Sequence, residues 1–383
     1  MPINTELAVK LLITIGVAFI ISFAATPIVK TFAKKVGAMD VPGEERRVHD
    51  HPIPRLGGLA IFLGFILSVL LFANINRQLQ GILLGCVIIV ATGAIDDIVS
   101  LNAWVKLLLQ ILAAVVAVLH GVEITVLANP ALWSNTEFLL LGSLSIPITI
   151  IWIVGITNSV NLIDGLDGLA VGVSTISSLT MLVIALVIPN TSSTIAIVLA
   201  ALVGACVGFM PYNFNPAKIF MGDTGSLLLG YVLATMSILG LFKSYALVSF
   251  AVPLLAIAVP LFDTVFAFTR RILKGQSPMH ADRGHFHHRL IDMGLSQKQA
   301  VAVLYSISGI LGLAAVLITT SGEIKALIVI LGFCFCAFLW AFVYGKLHNG
   351  AAQTLSNEVE ASASENKDSA STTISSEDNN EIR

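Results

Sequence analysis

The chain has 383 residues, of which 56% are hydrophobic and only 11% are charged, and its formal net charge at pH 7 is −2. With a mean hydropathy of +0.91, it lies outside the range of soluble globular domains, which expose charged side chains over most of their surface. The composition predicts a polytopic membrane protein of the all-α class, with the lipid bilayer as a partner and no nucleic acid.

Apolar runs long enough to cross a bilayer occur about eleven times along the chain. A helix needs roughly 17 to 25 apolar residues to span the hydrocarbon core. The predicted spans lie near 7–29, 57–74, 81–96, 103–120, 146–160, 169–188, 194–210, 226–242, 247–268, 302–320 and 323–344. Two of them, 81–96 and 146–160, are short enough to be tilted or partly re-entrant. The first run is interpreted as a retained helix, because no basic leader precedes it and a basic cluster follows it.

Basic residues between the predicted spans favour one orientation. Lys and Arg near helix ends remain on the cytoplasmic side of a membrane, and they are concentrated in two connections, between spans one and two and between spans nine and ten. With eleven helices these connections share one side, so the N-terminus is predicted to be outside and the C-terminus inside.

The chain is predicted to consist of a transmembrane domain and a tail. Residues 1–346 contain all the apolar runs. Residues 347–383 are rich in Ser, Glu, Asn, Asp and Thr and have too little apolar content to form a core. This segment is therefore predicted to be a disordered, polar cytoplasmic tail.

Five polar clusters stand at the ends of predicted helices, and the eleven-helix topology places all of them on the cytoplasmic face. They are Asp96-Asp97, Asn158 to Gly168, Asn213-x-Asn215, Gly222-Asp223 and His285-x-His287-His288. Polar residues with separate structural roles would be scattered over both sides of the membrane. Their convergence indicates one composite site, since polar groups at this depth are costly and mark function.

The first two clusters combine carboxylates with amides. Adjacent Asp96 and Asp97 repel each other and need a cation or a proton, and Lys106 lies in the first turn of the next helix; alternatively, one Asp caps that helix and the other is solvated. In the second cluster a polar residue recurs at every third position, as Asn158, Asn161, Asp164 and Asp167. A glycine after each aspartate allows close approach of the backbone to a ligand, although a polar seam between helices is an alternative.

Asp223 is flanked by glycines at the entrance of a helix. Magnesium binds few protein oxygen ligands and keeps water and substrate phosphates as the others, which suits Asn161 and Asp223. The alternative is that Asp223 is simply the N-cap of the helix. Two further charges stay ambiguous: Arg55 as a phosphate contact or as ordinary cytoplasmic basic charge, and Asp263 as a cation-orienting group or as half of a buried ion pair.

His285, His287 and His288 follow Arg283 in a long basic connection. A zinc site would need further ligands that the sequence does not supply nearby. Recognition of phosphate or sugar oxygens fits the mixture of imidazole and guanidinium groups better. A basic loop held against anionic lipid is the alternative.

Taken in order, the four motifs Asp96-Asp97, Asn158 to Gly168, Asn213 to Ser226 and His285 to His288 resemble those of the polyprenyl-phosphate N-acetylhexosamine-1-phosphate transferases. The resemblance extends from about Lys30 to Leu290. The residue sequence of the histidine loop resembles that of the branch of the family that uses UDP-N-acetylglucosamine. This branch includes the initiators of wall teichoic acid and enterobacterial common antigen. The resemblance implies a bacterial enzyme of the cytoplasmic membrane that transfers GlcNAc-1-phosphate to undecaprenyl phosphate and releases UMP, as the first membrane step of a cell-envelope glycan such as teichoic acid or O-antigen.

The resemblance also implies roles for individual residues. Asn161 and Asp223 would hold Mg²⁺, with Mn²⁺ as an alternative. The catalytic set would be Asp96, Asp97, Lys106 and Asp164, with Lys106 on a phosphate and one of the adjacent aspartates deprotonating or positioning the lipid phosphate. The substrate-contacting set would be Arg55, Asn158, Asp167, Asn213, Phe220, Arg283, His285, His287 and His288, with Phe220 stacking on the uracil.

Three alternatives remain open at the level of sequence. The donor could instead be UDP-MurNAc-pentapeptide or UDP-GalNAc, and transfer could be direct or pass through an aspartyl-phosphate. A secondary transporter would also place carboxylates in broken helices, but it would be expected to show inverted repeats, and none is visible. A homodimer is compatible with the sequence.

Overall fold

The computed structural model describes residues 5–41, 52–128, 138–188, 192–240, 254–273 and 286–321. These parts of the chain are mostly helical. The α-helices are α1 Thr5–Val36, α2 Gly58–Phe72, α3 Arg77–Val99, α4 Ala103–Leu119, α5 Ser145–Leu162, α6 Leu169–Val187, α7 Ser193–Asn213, α8 Gly222–Gly240, α9 Ala258–Leu273, α10 Phe286–Asp292 and α11 Gln297–Ser321. Two short antiparallel pairs join β1 Met39–Asp40 to β2 Ile53–Pro54 and β3 Val126–Ala128 to β4 Phe138–Leu140, and a 3₁₀ turn, Gly142–Leu144, precedes α5.

Seven helices in the described ranges are long and apolar enough to cross a membrane, which confirms a polytopic, helical membrane protein. They are α1, α3, α5 with the turn before it, α6, α7, α8 and α11. The apolar helices α2 and α4 are shorter, with 15 and 17 residues. The predicted span 323–344 and the tail lie outside the described residues, so the total of eleven helices and the orientation stay predictions.

Two predicted spans have different bounds in the structure. The run 81–96 belongs to α3, which has 23 residues and needs no re-entrant geometry to reach across a bilayer. The predicted span 247–268 stops before the arginines, whereas α9 continues through Arg270 and Arg271 to Leu273. Arginine is a good helix former, and positive charge in a last turn interacts favourably with the helix dipole.

Close approach of helix backbones holds the core together. Helix α1 packs along α7, and a Cβ added to Gly204 would lie only 2.3 Å from the carbonyl oxygen of Ile15. Such small residues let helices approach closely where lipid supplies no hydrophobic drive for association. Helix α8 is the most enclosed of the seven and contacts α3 and α5 extensively. Its N-terminus is therefore fixed by several neighbours, and Asp97 and Asn161 contact it.

Candidate active site

Asp97, in the last turns of α3, caps the N-terminus of α8. Its carboxylate accepts hydrogen bonds from the backbone N–H groups of Asp223 and Thr224, both at 3.0 Å, and from the Thr224 hydroxyl at 2.6 Å. The first N–H groups of a helix have no partner within the helix, and negative charge is favourable there. One aspartate of the pair is thus a helix cap, as the alternative interpretation held, but of α8 and not of the following helix α4.

Gly222 makes this capping contact geometrically feasible. Its φ angle is +68°, in the left-handed region, and a Cβ added to it would lie 2.4 Å from Oδ2 of Asp97. A side chain at this position would be strained and would also collide with the carboxylate. Asp223 is the second residue of α8, so it is not the N-cap of this helix, and its carboxylate is left for other contacts.

Lys106 joins the two acidic motifs. Its Nζ donates to Oδ2 of Asp96 at 2.9 Å and makes a short contact with Oδ2 of Asp223. The other oxygen of Asp96 accepts the N–H of Leu101 at 2.7 Å. The ammonium group thereby bridges two neighbouring carboxylates that would otherwise repel each other.

Asn161, in the last turn of α5, completes this cluster. Its side-chain amide donates to Oδ1 of Asp223 at 3.0 Å and to Oγ of Ser226 at 2.8 Å. The structure therefore brings together the two residues, Asn161 and Asp223, that the sequence singled out as metal ligands. Ser226 was not predicted, although it stands in the quoted motif one turn after Gly222, whose carbonyl accepts its hydroxyl.

Asp164 lies in the turn between α5 and α6. Burial is the main cause that raises the pKa of Asp164 well above its usual value, and the negative charges of Asp223 and Asp97 add to the shift. No residue in the described ranges donates a hydrogen bond to its carboxylate. A positive charge bound nearby would lower the pKa of Asp164 again, because it favours the ionised carboxylate.

The residues present fit a magnesium ion through the chemistry of their donors. Among the described residues, the carboxyl groups of Asp96, Asp97 and Asp223 lie beside the cations Lys106 and Arg55. The Asp164 carboxyl lies near those of Asp223 and Asp97, and the amide of Asn161 adds an oxygen. Within the described residues no three His, Cys, Asp or Glu side chains are grouped so as to hold a metal ion by themselves. Magnesium does not require such a group, because it keeps water and phosphate oxygens among its ligands.

The turn that contains Asp167 is bound to the loop before α8. Oδ2 of Asp167 accepts hydrogen bonds from the Asn215 amide at 3.0 Å and from the N–H of Ala217 at 2.9 Å. Asn213 is buried, and it accepts the N–H of Gly168 at 3.2 Å and donates to the carbonyl of Ile219 at 3.0 Å. In this structure both polar ends of the Asn213 side chain therefore hold the two loops together.

The segment before α2 pairs with the loop before α8, next to the site. Phe220 pairs with it like a strand, donating its N–H to Pro54 at 2.8 Å and accepting the N–H of Gly57 at 2.9 Å. Nε of Arg55 donates to the carbonyl oxygen of Asp97 at 3.1 Å. Arg55 thus lies beside the acidic cluster and remains about one third exposed, at 29%.

Asn158 lies one turn before Asn161 and faces α4. Its amide donates to Oε1 of Gln110 at 2.5 Å and to the carbonyl of Val154 at 2.8 Å. Gln110 is buried and was not predicted as a site residue. The available signal was a single amide in an otherwise apolar run, a pattern typical of hydrogen bonding between membrane helices.

The histidine loop is only partly described. Arg283 and His285 lie outside the described residues, and His287 and His288 belong to α10, where the backbone is described but not these side chains. Asp263 of α9 is buried, and its Oδ1 accepts the N–H of Phe286 at 2.8 Å, at the start of α10. Asp263 therefore anchors the helix that carries the last two histidines.

The comparisons with known proteins agree with the resemblance seen in the motifs. The family model of glycosyl transferase family 4 matches residues 79–241. A probable undecaprenyl-phosphate N-acetylglucosaminyl 1-phosphate transferase of Bacillus subtilis is 44% identical over 317 residues, covering 81% of this chain and 86% of that protein.

Two further relatives have related names. A decaprenyl-phosphate N-acetylglucosaminephosphotransferase of Mycobacterium tuberculosis is 37% identical, over 78% of this chain and 80% of its own length. An undecaprenyl-phosphate alpha-N-acetylglucosaminyl 1-phosphate transferase of Thermotoga maritima is 32% identical, over 70% of this chain and 78% of its own. With motifs, helical architecture and identity in agreement, the chain belongs to glycosyl transferase family 4, the polyprenyl-phosphate N-acetylhexosamine-1-phosphate transferases.

Proposed function

We propose that this protein transfers GlcNAc-1-phosphate from UDP-N-acetylglucosamine to a polyprenyl phosphate, giving polyprenyl-diphosphate-GlcNAc and UMP. The observation that carries the proposal is the cluster formed by Asp96, Lys106, Asn161 and Asp223 at the ends of four helices. The names of the relatives support the acceptor and the transferred group.

The reaction joins two phosphates, and its catalysis depends on positioning the phosphates and on stabilising their charge more than on covalent bonds to the enzyme. An oxygen of the lipid phosphate attacks the phosphorus that carries the sugar, a new P–O bond forms, and the P–O bond to UMP breaks. Lys106, whose ammonium lies at the centre of this cluster, would contact a phosphate oxygen. Arg55, beside the same cluster, is placed to contact the diphosphate.

Asp96 is the better candidate of the adjacent pair for contact with the lipid phosphate. Asp97 is almost fully buried and accepts three hydrogen bonds from the start of α8. Asp96 is more exposed, at 14% against 3%, and uses only one oxygen for the backbone. It is therefore placed to accept the proton of a protonated lipid phosphate or to orient its oxygens.

Asp223 and Asn161, with Asp164 beside them, would hold Mg²⁺, or Mn²⁺ in its place. The ion supplies charge neutralisation for the diphosphate and for the departing UMP. Asp167 and Phe220 lie on the loops next to this cluster and suit the uridine, with Asn213 fixing the loop between them. The sugar and the diphosphate would be contacted by the basic residues of the histidine loop, Arg283, His285, His287 and His288.

The enzyme is a multi-pass membrane protein of bacterial type, and we place it in the cytoplasmic membrane with its site on the cytoplasmic face. The eleven helices are predicted from the apolar runs, and an N-terminus outside is predicted from the distribution of basic residues between them. The site lies at helix ends, where a soluble nucleotide and a lipid phosphate can meet. The downstream glycan and the homodimer stay predictions.

The test is release of UMP by the purified protein. UDP-N-acetylglucosamine, UDP-MurNAc-pentapeptide and UDP-GalNAc are supplied in parallel, each with and without undecaprenyl phosphate and Mg²⁺. We expect release from the first donor only, dependent on both lipid and metal, and we expect Asp223→Ala to lose the metal-dependent turnover. Release from another donor would keep the mechanism and change the substrate, and wild-type turnover in Asp223→Ala would remove Asp223 from the metal site.

A further inference from the structure

Helix α11 contacts the turn that carries Asp167. The hydroxyl of Tyr305 donates to the carbonyl oxygen of Gly168 at 2.5 Å. The ring reaches this position over Gly172 of α6, where an added Cβ would lie 1.9 Å from the Tyr305 hydroxyl. A glycine on α6 thus provides the space that Tyr305 occupies.

The peptide groups of Gly168 are held on both sides. Its N–H donates to Asn213 at 3.2 Å, and its carbonyl accepts from Tyr305. Gly168 has a φ angle of +79°, and a Cβ there would lie 3.1 Å from the ring of Phe214. A left-handed residue directly after Asp167 sets the direction of the chain at the turn, so these two hydrogen bonds determine where the Asp167 side chain starts.

A second contact from α11 reaches the Asp167 carboxylate through one intermediate. The Asn215 amide donates both to Oδ2 of Asp167 at 3.0 Å and to Oε1 of Gln297 at 2.6 Å. Gln297 therefore orients the Asn215 amide, which in turn orients the Asp167 carboxylate. Oδ1 of Asp167 receives no hydrogen bond from the residues described, which leaves it available to accept one from a ligand.

We propose that Tyr305 and Gln297 are positioning residues for the donor nucleotide, acting through Gly168 and Asn215 on Asp167. The proposal rests on the proposed function, in which Asp167 faces the uridine. Both residues lie outside the segment 79–241 that matches the family model. Only four residues separate α11 from α10, which carries His287 and His288, so α11 links the end of the histidine loop with the turn that carries Asp167.

The experiment compares Tyr305→Phe with Ser306→Ala in the full-length, purified protein. The first variant removes one hydroxyl and keeps the ring that fills the space over Gly172. The control removes a hydroxyl from the next residue, which is exposed and bonds only to the carbonyl of Ala302 in its own helix. We expect Tyr305→Phe to raise KM and Kd for UDP-N-acetylglucosamine by roughly two- to tenfold, the range expected for one net hydrogen bond.

A positioning role changes binding of the nucleotide sugar alone, whereas a general packing role would change the kinetic constants for both substrates. We expect kcat and the KM for undecaprenyl phosphate to stay within about twofold in Tyr305→Phe, because the reacting groups lie elsewhere in the site. Gln297→Ala should show the same selective loss. The double variant should lose less than the product of the single losses, because both residues act on one turn.

Three results would overturn the inference. The first is an unchanged KM and Kd for the nucleotide sugar in both single variants. The second is an equal loss in every kinetic constant together with a lower melting temperature, which would indicate packing alone. The third is a wild-type protein that does not bind UDP-N-acetylglucosamine in calorimetry, which would refute the proposed donor as well. Wild-type binding without UMP release would refute only the reaction, and the comparison of Kd values would still decide on positioning.

Discussion

Replacing Asp97 by Asn is expected to destabilise the protein, whereas the same change at Asp96 is expected to stop the reaction and leave stability almost unchanged. The two residues are neighbours in sequence, but their oxygens have different partners. Asp97 accepts three hydrogen bonds from residues 223 and 224 at the start of α8. Asp96 accepts one from the backbone and one from the Lys106 ammonium.

The loss of unfolding free energy in Asp97→Asn can be worked out from the hydrogen-bond donors that lose their acceptor. An Asn at position 97 keeps one oxygen and turns an NH₂ group toward backbone N–H donors, so at least one buried donor loses its partner. A lost hydrogen bond to a charged group costs about 1.5 to 3 kcal/mol, and loss of negative charge at a helix N-terminus adds roughly 0.3 to 1 kcal/mol. We therefore expect Asp97→Asn to lose about 2 to 4 kcal/mol of unfolding free energy.

At position 96 the corresponding loss is small. An Asn there keeps an oxygen for the N–H of Leu101, and a partly exposed ion pair contributes only about 0 to 1 kcal/mol. Loss of a group that handles a proton in the transition state typically lowers the rate by about 100-fold or more. Asp96→Asn should therefore keep its melting temperature within about 2 °C of the wild type while kcat falls by that factor.

The assay measures thermal unfolding of both variants in the same detergent, together with UMP release from UDP-N-acetylglucosamine. A lower melting temperature for Asp97→Asn with a wild-type one for Asp96→Asn is the expected pair of results. The reasoning would be refuted by the reverse pattern, or by an Asp97→Asn protein as stable as the wild type. Asp97→Asn is also expected to lose activity, because displacement of α8 moves Asp223.

Three further changes test the same site. Gly222→Ala should lower the melting temperature and remove activity, since the strained φ and the contact with Asp97 cost about 1 to 3 kcal/mol; a wild-type melting curve would contradict this. Lys106→Met should lower kcat/KM for the lipid phosphate by about 100-fold or more, and single-turnover kinetics would show whether chemistry or binding is affected. The raised pKa of Asp164 means that its stabilising contribution is present below the unfolded-state pKa and is lost as pH rises through the folded-state pKa. With metal removed by EDTA, Asp164→Asn should therefore melt higher than the wild type at about pH 8 and lose this advantage at about pH 4; a pH-independent difference would argue against the shift.

The location of the site was predictable from the sequence, and the contact between Asn161 and Asp223 illustrates why. Each residue stands at the end of an apolar run, and two predicted helices lie between them, so both are predicted on the same membrane face. Spacing and parity therefore predict the shared face, and the packing of α5 on α8 brings the two residues into contact. Family membership followed from the order of the same motifs, and the comparisons confirm it.

The pairing of individual groups was not predictable in the same way. Asp97 and Thr224 are 127 positions apart, and nothing in helical periodicity indicates that α3 ends beside the start of α8. Gln110 and Asn158 form an amide pair for the same reason, through the packing of α4 on α5. Sequence shows which polar residues must find partners in a membrane, but the partners depend on the arrangement of helices in three dimensions.

The carboxylates of this site differ in how many of their oxygens accept hydrogen bonds from backbone N–H groups. Both oxygens of Asp97 accept backbone N–H groups at the start of α8, so this carboxylate holds the helix in place. Asp96 and Asp167 each bind a backbone N–H group through one oxygen only, and the other oxygen of Asp96 accepts from Lys106. A carboxylate held by one edge has its orientation fixed before substrate arrives, and this preorganisation lowers the cost of aligning charged groups during the reaction. Asp96 and Asp167 therefore meet the requirement for contact with the lipid phosphate and the nucleotide, whereas Asp97 supports the scaffold that presents Asp223.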